Sequence, residues 1–198
     1  MYFSKKDKIK HYALIKRKLK CFNSKFEVYF DHLKLSNNNE VNDFLIVKPK
    51  VLLEDKVVGI CVLPIVNKKF CLMKGWRHQF EDYIYQAPAG FCEINETPNE
   101  TALRELFEET SLYCDFKDLV SLGYYLPDAG LIEGRVAIFL AKNCHLKDSN
   151  IINEIGTGEK VFFDKNKFIS LLANSNNIGG STLVASYRAL HYISENKF

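Results

Sequence analysis

Residues Gly90 to Leu112 read GFCEINETPNETALRELFEETSL, and the helix that they encode is marked from its first turn. Thr97-Pro98-Asn99-Glu100 has the form of a capping box. The threonine hydroxyl meets an early backbone N–H, the glutamate reaches back three residues, and proline takes the first helical position, where an N–H would go unused. Leu103, Leu106, Phe107 and Thr110 then recur at i, i+3, i+4 and i+7, a mostly apolar stripe that predicts a core-facing side. Glu105, Glu108 and Glu109 stand at i, i+3 and i+4, so the same helix brings three carboxylates to one face. Anions grouped in this way repel one another unless a cation lies among them. Hard oxygen donors suit Mg²⁺, which takes a few carboxylates together with waters and substrate phosphates. The small-residue turn Ala87-Pro88-Ala89-Gly90-Phe91 precedes the helix and lets backbone carbonyls approach the same metal or a diphosphate. The competing reading of such a charge run is a solvated acidic helix face.

These residues resemble the Nudix box, Gly-x5-Glu-x7-Arg-Glu-U-x-Glu-Glu-x-Gly-U with U aliphatic. Gly90, Glu96, Arg104, Glu105, Leu106, Glu108, Glu109 and Leu112 fill their slots without a gap. At background frequencies of roughly 5–7% per residue type, the six fixed matches arise by chance on the order of once in 10⁷ starts, which sets coincidence aside. Ser111 is the one departure, standing where the pattern has the glycine that permits a left-handed turn after the helix. A serine in that conformation costs roughly 1–2 kcal/mol. Since Ser111 is not a proposed ligand, the expectation is altered backbone geometry without lost activity.

Beyond the box, over roughly residues 25 to 195, the chain resembles the ADP-ribose and nucleoside-diphosphate-sugar pyrophosphatase branch of the Nudix superfamily. Leu72-Met73-Lys74-Gly75-Trp76-Arg77, followed by Tyr85-Gln86-Ala87-Pro88-Ala89-Gly90, is similar to a strand with a substrate-binding arginine that leads into a Pro-Ala-Gly turn. Pro127-Asp128-Ala129-Gly130 is similar to the branch's Pro-Ser-Pro-Gly loop, and Glu154 to Phe163 to its acidic loop and following strand. Four departures bear on substrate choice. Gln86 replaces Glu, Ala129 replaces a proline, Glu133 lies one position before the slot that here holds Gly134, and the late loop has few acids.

The resemblance implies an α/β (α+β) fold, a Nudix α/β/α sandwich with a mixed sheet between helices and a small β-rich N-terminal unit. It implies Mg²⁺, with Mn²⁺ able to substitute, held by Glu105, Glu108, Glu109 and the carbonyl of Ala89, while Arg104 orients the glutamates. The general base implied is a glutamate on the loop after the strand ending near Ala141, hence Glu154 or Glu159, with Glu108 as the alternative. On the substrate side it implies Arg77, Gly90, Pro127 and Glu133. It also implies a homodimer whose N-terminal unit crosses to the partner, with Tyr29 and Phe30 as a candidate face for a nucleobase.

Composition agrees with an enzyme of one main domain, since 198 residues at 47% hydrophobic content can bury a substantial core. Between Lys5 and Lys20 stand eight Lys/Arg and one acid, against a net charge of +3 for the whole chain. The remainder is therefore mildly acidic, which argues against a general nucleic-acid surface. The stretch KKDKIKHYALIKRKLK is read as a solvated terminal helix. It lacks the apolar region of a signal peptide, and no run of about eighteen apolar residues appears to span a membrane. Cys21, Cys61, Cys71, Cys92, Cys114 and Cys144 show neither a CxxC pair nor a regular framework. They are read as buried reduced thiols in a cytoplasmic protein. The five histidines support no zinc site.

The domain reading is a basic segment over 1–22, a β-rich unit with possible dimerisation over 23–55, and a hydrolase domain over 56–198. Strands are expected near 26–30, 44–47, 57–66, 70–74, 121–125, 135–141 and 160–163, with helices from Asp164 to about Ala173 and from Ser181 to Ile193. The function expected is Mg²⁺-dependent hydrolysis of a nucleoside diphosphate linked to another group, ADP-ribose or another nucleoside-diphosphate sugar. The products are a nucleoside monophosphate and a sugar phosphate. The alternatives are another nucleotide substrate on the same scaffold, or a nucleotide-sugar sensor that does not cleave.

Overall fold

The computed structural model describes residues 11–146 and 158–196. They divide into two compact units, one ending at Lys50 and including Asp128–Glu133, the other built from Val51–Pro127 and the chain from Gly134 onward.

The N-terminal unit is an antiparallel sheet of β1 (Tyr12–Phe22), β2 (Phe26–Leu35) and β3 (Glu40–Pro49) in that spatial order. Ser36-Asn37-Asn38-Asn39 makes the β2–β3 turn, where Asn38 takes φ 66° and the Asn39 N–H meets the Asn37 side chain at 3.0 Å. Asparagine tolerates that left-handed geometry better than most residues. Here the basic segment departs from its sequence reading, because residues 12–22 form a strand and not a helix. Their local charge does not decide the matter. The alternation Lys16, Lys18, Lys20 has the period of a strand, and β2 supplies a partner over the whole length, from Tyr12 opposite Leu35 to Phe22 opposite Glu27. One sheet therefore runs across the 22/23 boundary. Residues 5–10, the first part of the basic stretch, lie outside the described residues.

The larger unit begins with β4 (Val57–Val66), β5 (Lys69–Arg77), β6 (Asp82–Gln86) and β7 (Ala89–Phe91), which lead into helix α1 (Pro98–Thr110). Then come β8 (Leu112–Tyr113), β9 (Leu119–Tyr125), β10 (Arg135–Ala141), β11 (His145–Leu146) and β12 (Glu159–Phe163). Helices α2 (Lys165–Asn174) and α3 (Gly180–Glu195) complete it. Its sheet runs β12-β5-β4-β10-β9, with β6 beside β5 and β7 beside β4. β4 and β10 are parallel and the other pairs antiparallel, which makes the sheet mixed, as expected.

β4 reads VVGICVLPIV, apolar at nearly every position, because both of its faces are covered. Ile60 and Val62 pack with Ala102 and Leu106 of α1, together with Ala137, Phe139 and Ala141 of β10. The intervening Cys61, Leu63 and Ile65 pack with Phe168 and Leu172 of α2 and with Ala185, Ala189 and Ile193 of α3. The unit is thus an α/β/α sandwich, with α1 alone on one face of the sheet and α2 and α3 on the other.

Candidate active site

Helix α1 starts as its sequence requires. Thr97 Oγ1 accepts from the Glu100 N–H, and the Glu100 carboxylate accepts from the Thr97 N–H at 2.8 Å. The helix ends at Ser111, which takes φ 56° and ψ 18°, the left-handed conformation expected of the missing glycine, with its N–H on Phe107 O at 2.7 Å. Its buried side is Thr101, Ala102, Glu105, Leu106 and Thr110. The acidic face and the packed face therefore meet at Glu105, which is only 7% exposed.

Two contacts explain how a carboxylate sits so deep. Gly90, paired with Ile60 in β4, lies directly under Glu105. A Cβ at this position would meet the Glu105 carboxylate, with none of its three terminal atoms further than 2.5 Å. One turn further along α1, Glu109 Oε2 accepts from the Ala89 N–H at 3.0 Å. The β7 backbone thus serves as a floor that meets both carboxylates, and at residue 90 only glycine leaves room.

Arg104 ties the remaining acids together. Its Nε and Nη2 donate to the two oxygens of Glu96 at 2.7 and 3.0 Å, and Nη2 also reaches Phe91 O at 3.1 Å. Nη1 donates to Glu105 Oε1 at 2.8 Å and to Glu108 Oε2 at 3.0 Å. This is the planar fork for which arginine is suited and lysine is not. It holds the Glu96 carboxyl down at about 2, against an ordinary 4.5, with help from the Thr101 hydroxyl at 2.8 Å. The same carboxylates raise the Arg104 guanidinium further above its already high value. Glu96 is thus the anchor of Arg104, a role that the sequence reading left unassigned although the residue fills a fixed slot of the motif. Glu105 and Glu108 lie on either side of Arg104 Nη1. Among the described residues, no group of three or more His, Cys, Asp or Glu side chains is arranged so that it could hold a metal ion as it stands.

The sheet sorts the other candidates by face. Lys160 of β12 stands opposite Met73 of β5, which stands opposite Gln86 of β6, and opposed partners share a face. Lys160 Nζ donates to Thr110 O at 2.7 Å, so this is the α1 face. Arg77 reaches Gln86 Oε1 with Nε at 3.1 Å and Nη2 at 2.5 Å, and so belongs to the same face. Glu159 is the neighbour of Lys160 and stands opposite Lys74. Strand alternation turns it to the other side of the sheet. Glu154 lies outside the described residues. Pro127 is exposed just past β9. Glu133 belongs to the N-terminal unit, where Arg17 Nη1 meets its carboxylate at 3.2 Å and its own N–H donates to Val47 O at 2.9 Å. Arg17 also grips the buried Asp31 through two bonds of 2.8 and 2.9 Å and lies 5.1 Å over the Tyr29 ring. Lys20 Nζ covers the Phe30 ring at 4.4 Å.

The family model of the NUDIX domain matches residues 55–169, more than half of the chain and the whole of this site. The chain belongs to the Nudix family. Among curated proteins it is 29% identical over 115 residues to an ADP-ribose pyrophosphatase of Bacillus subtilis (strain 168), covering 58% of this chain and 56% of that one. It is 32% identical over 108 residues to a methanol dehydrogenase activator of Bacillus methanolicus, covering 54% and 55%. It is 26% identical over 192 residues to an NAD-capped RNA hydrolase of Saccharomyces cerevisiae (strain ATCC 204508 / S288c), covering 90% and 47%. The chain thus spans about half the length of the curated relatives that it matches. Among solved structures, an ADP compounds hydrolase superposes with a TM-score of 0.79 at 16% identity over 96% of this chain and 98% of that one, which shows the shared fold. Among the described residues no helix is long and apolar enough to cross a membrane.

Proposed function

We propose that this Nudix protein hydrolyses, with Mg²⁺ or Mn²⁺, the diphosphate linkage of a nucleoside diphosphate joined to another group, ADP-ribose or another nucleoside-diphosphate sugar before others. The observation that carries this reading is the joint placement of five box residues. Glu105 rests on Gly90, Glu109 is tied to the Ala89 N–H, and one guanidinium nitrogen of Arg104 holds both Glu105 and Glu108. A sensor would not need all of these in place.

The donor types suit a hard divalent ion, which takes carboxylates together with water and substrate oxygens. Glu105, Glu108 and Glu109 would hold the ion, and the carbonyl of Ala89 belongs to the proposed set. When bound, the ion neutralises the diphosphate and lowers the pKa of water. The chain's own residues position. Arg104 fixes the glutamates through hydrogen bonds and stays off the substrate, so its effect is on geometry. Arg77, on the α1 face and bound to a neutral glutamine, offers its charge to a phosphate. Phosphoryl transfer needs little beyond such positioning and charge stabilisation. Glu154 and Glu108 remain the candidates for the general base. Glu159, on the α2 and α3 face, is the weaker one.

We also assign Pro127 and Glu133 to the substrate side, place the enzyme in the cytoplasm and expect a homodimer formed through the β-rich N-terminal unit. Tyr29 and Phe30 lie in that unit. The relative whose similarity runs over 90% of this chain is named for NAD-capped RNA, which adds dinucleotide diphosphates to the substrates worth testing. The test is phosphate release, after phosphatase coupling, from a panel of ADP-sugars, GDP-sugars, NAD, dinucleoside polyphosphates and nucleoside triphosphates with Mg²⁺. Turnover should be highest on an ADP-linked diphosphate and should vanish with chelator. No turnover on any member would favour the sensor, and a monomer with full activity would remove the dimer.

A further inference from the structure

The cysteines take no part in the proposed chemistry, yet two of them face each other. β8 and β11 pair antiparallel, with Leu112 opposite Leu146 and Tyr113 opposite His145. One residue further along the same register, Cys114 comes opposite Cys144. Directly opposed side chains leave a ladder on the same side, and successive pairs alternate. The Tyr113 and His145 rings meet edge to face at 5.4 Å on the outer side. The two cysteines point inward and are buried in the cluster that contains Leu106, Leu112 and Phe139. The two thiols are in contact, and the Cys144 S–H donates to Ala141 O at 3.3 Å. The Cys144 N–H donates to Ile65 O at 2.9 Å and so is not given to Cys114. The pair therefore has the character of a non-hydrogen-bonded position, where opposed Cα atoms lie about 4.5 Å apart in a regular ladder. Disulfides span Cα separations of about 4.4–6.8 Å, a range that includes the spacing of opposed residues in an antiparallel ladder.

We propose that Cys114 and Cys144 form a reversible disulfide site, oxidised by hydrogen peroxide and opened again by thiols. In the first step a thiolate sulfur, that of Cys114, attacks one peroxide oxygen. The O–O bond breaks, leaving a sulfenic acid on Cys114 and hydroxide, which takes up the displaced proton to become water. The sulfur of Cys144 then attacks the sulfenic sulfur, the S–O bond breaks, and the oxygen leaves as a second water with the Cys144 proton. The two sulfurs together lose two electrons and the peroxide gains them. Cys114 suits the attacking role because its contact with Cys144 holds its thiol below the ordinary value, which favours its thiolate. Burial pushes Cys61 and Cys71 up to about 12, and neither is a comparable nucleophile.

The position gives the bridge a structural effect. Cys114 lies three residues beyond Ser111, so the bond tethers the segment that leaves the helix carrying Glu105, Glu108 and Glu109 to the strand after β10. The loop closed, residues 114–144, contains β9 and β10, and closing it should raise the thermal midpoint by about 5–10 °C.

The test treats the reduced full chain with hydrogen peroxide, alkylates the remaining thiols under denaturing conditions and maps the unreduced digest by mass spectrometry. The expected product is a linked pair of peptides holding Cys114 and Cys144, lighter by two hydrogens than the two thiol peptides together. Dithiothreitol should open it, and both Cys114→Ser and Cys144→Ser should abolish it. The wild-type map is read independently of activity and of whether either variant folds. The proposal falls if both cysteines carry the alkyl label at a peroxide dose that oxidises the exposed Cys21. It falls equally if Cys114 ends as a sulfinic acid with Cys144 still free.

Discussion

Replacing Gly90 by alanine tests the placement of Glu105 with little else disturbed. Gly90 does not adopt the left-handed backbone that glycine alone favours, since Gly123 is the glycine with positive φ among the described residues. Alanine therefore fits the backbone, and only space changes. The new methyl would lie within 2.5 Å of all three terminal atoms of Glu105, where ordinary contact begins at 3.4 Å. The nearest oxygen, at 1.9 Å, must retreat by about 1.5 Å to reach 3.4 Å, and a displacement of about 1 Å or more from a reactive geometry costs on the order of 10²-fold in rate. Retreat also strains the 2.8 Å bond to Arg104 Nη1. Because Glu105 is assigned to the ion and not to the nucleotide, kcat should carry the loss, with KM within about 3-fold. The Mg²⁺ concentration for half-maximal rate should rise about 10-fold or more. The assay is coupled phosphate release from ADP-ribose across a Mg²⁺ series, with circular dichroism to confirm the fold. Turnover within about 3-fold of wild type at an unchanged Mg²⁺ midpoint would refute the reasoning, because the contact with Gly90 would then have no bearing on the working position of Glu105.

Arg104→Lys removes a planar fork that makes five hydrogen bonds. It should lower kcat/KM by about 10²-fold and stability by about 1.5–3 kcal/mol in urea unfolding, despite keeping the charge. Ser111→Gly relieves a left-handed serine and should raise stability by about 1 kcal/mol in thermal unfolding, with turnover within a few-fold; restoration from near zero would show that Ser111 disables the enzyme. Glu96 is held at about 2 by Arg104, so its ionised form stabilises the fold above its ordinary value of 4.5, and that contribution is lost as pH falls towards 2. The gap in urea midpoint between wild type and Glu96→Gln should therefore be constant near neutral pH and close progressively below pH 4.5. Glu159→Gln should leave turnover within about 2-fold at saturating Mg²⁺, whereas Glu108→Gln should reduce it by at least about 10-fold, since only Glu108 lies beside Arg104.

The parts that were legible in the sequence are those decided within a few residues. The capping box, the apolar stripe and the carboxylates of α1 are local relations between positions three and four apart, whereas the altered geometry expected at Ser111 is not found, because the serine takes the left-handed turn of the glycine it replaces. The strands at 57–66, 70–74 and 135–141 show as apolar runs because the sheet buries both of their faces, whereas the short β6, β7 and β8 carry no such signal. Three things were not legible. Whether residues 12–22 would be helix or strand depended on β2 as a partner and not on local charge. The depth of Glu105 depended on Gly90, fifteen positions earlier, being under it, and a helical wheel that places the acids opposite the core misses a glutamate at the border. The separation of Glu159 from Lys160 by the sheet was likewise invisible until the register of β12 against β5 was known.

Arg77 shows how chemistry and specificity divide between elements. The helix α1 binds its own arginine with acids, so Arg104 is compensated several times over and has no charge left for a substrate. Arg77 stands on the same face of the sheet, but its partner Gln86 accepts two hydrogen bonds without supplying a charge. A glutamate at that position, as the resembling branch has it, would orient the guanidinium and also neutralise it. Glutamine keeps the orientation and leaves the charge for an incoming anion. The departure at position 86 therefore favours the proposed role of Arg77 toward a phosphate, because the same fork is aimed and its bonded partner brings no charge. The box sets what can be cleaved, and substitutions of this kind around it set what is held there.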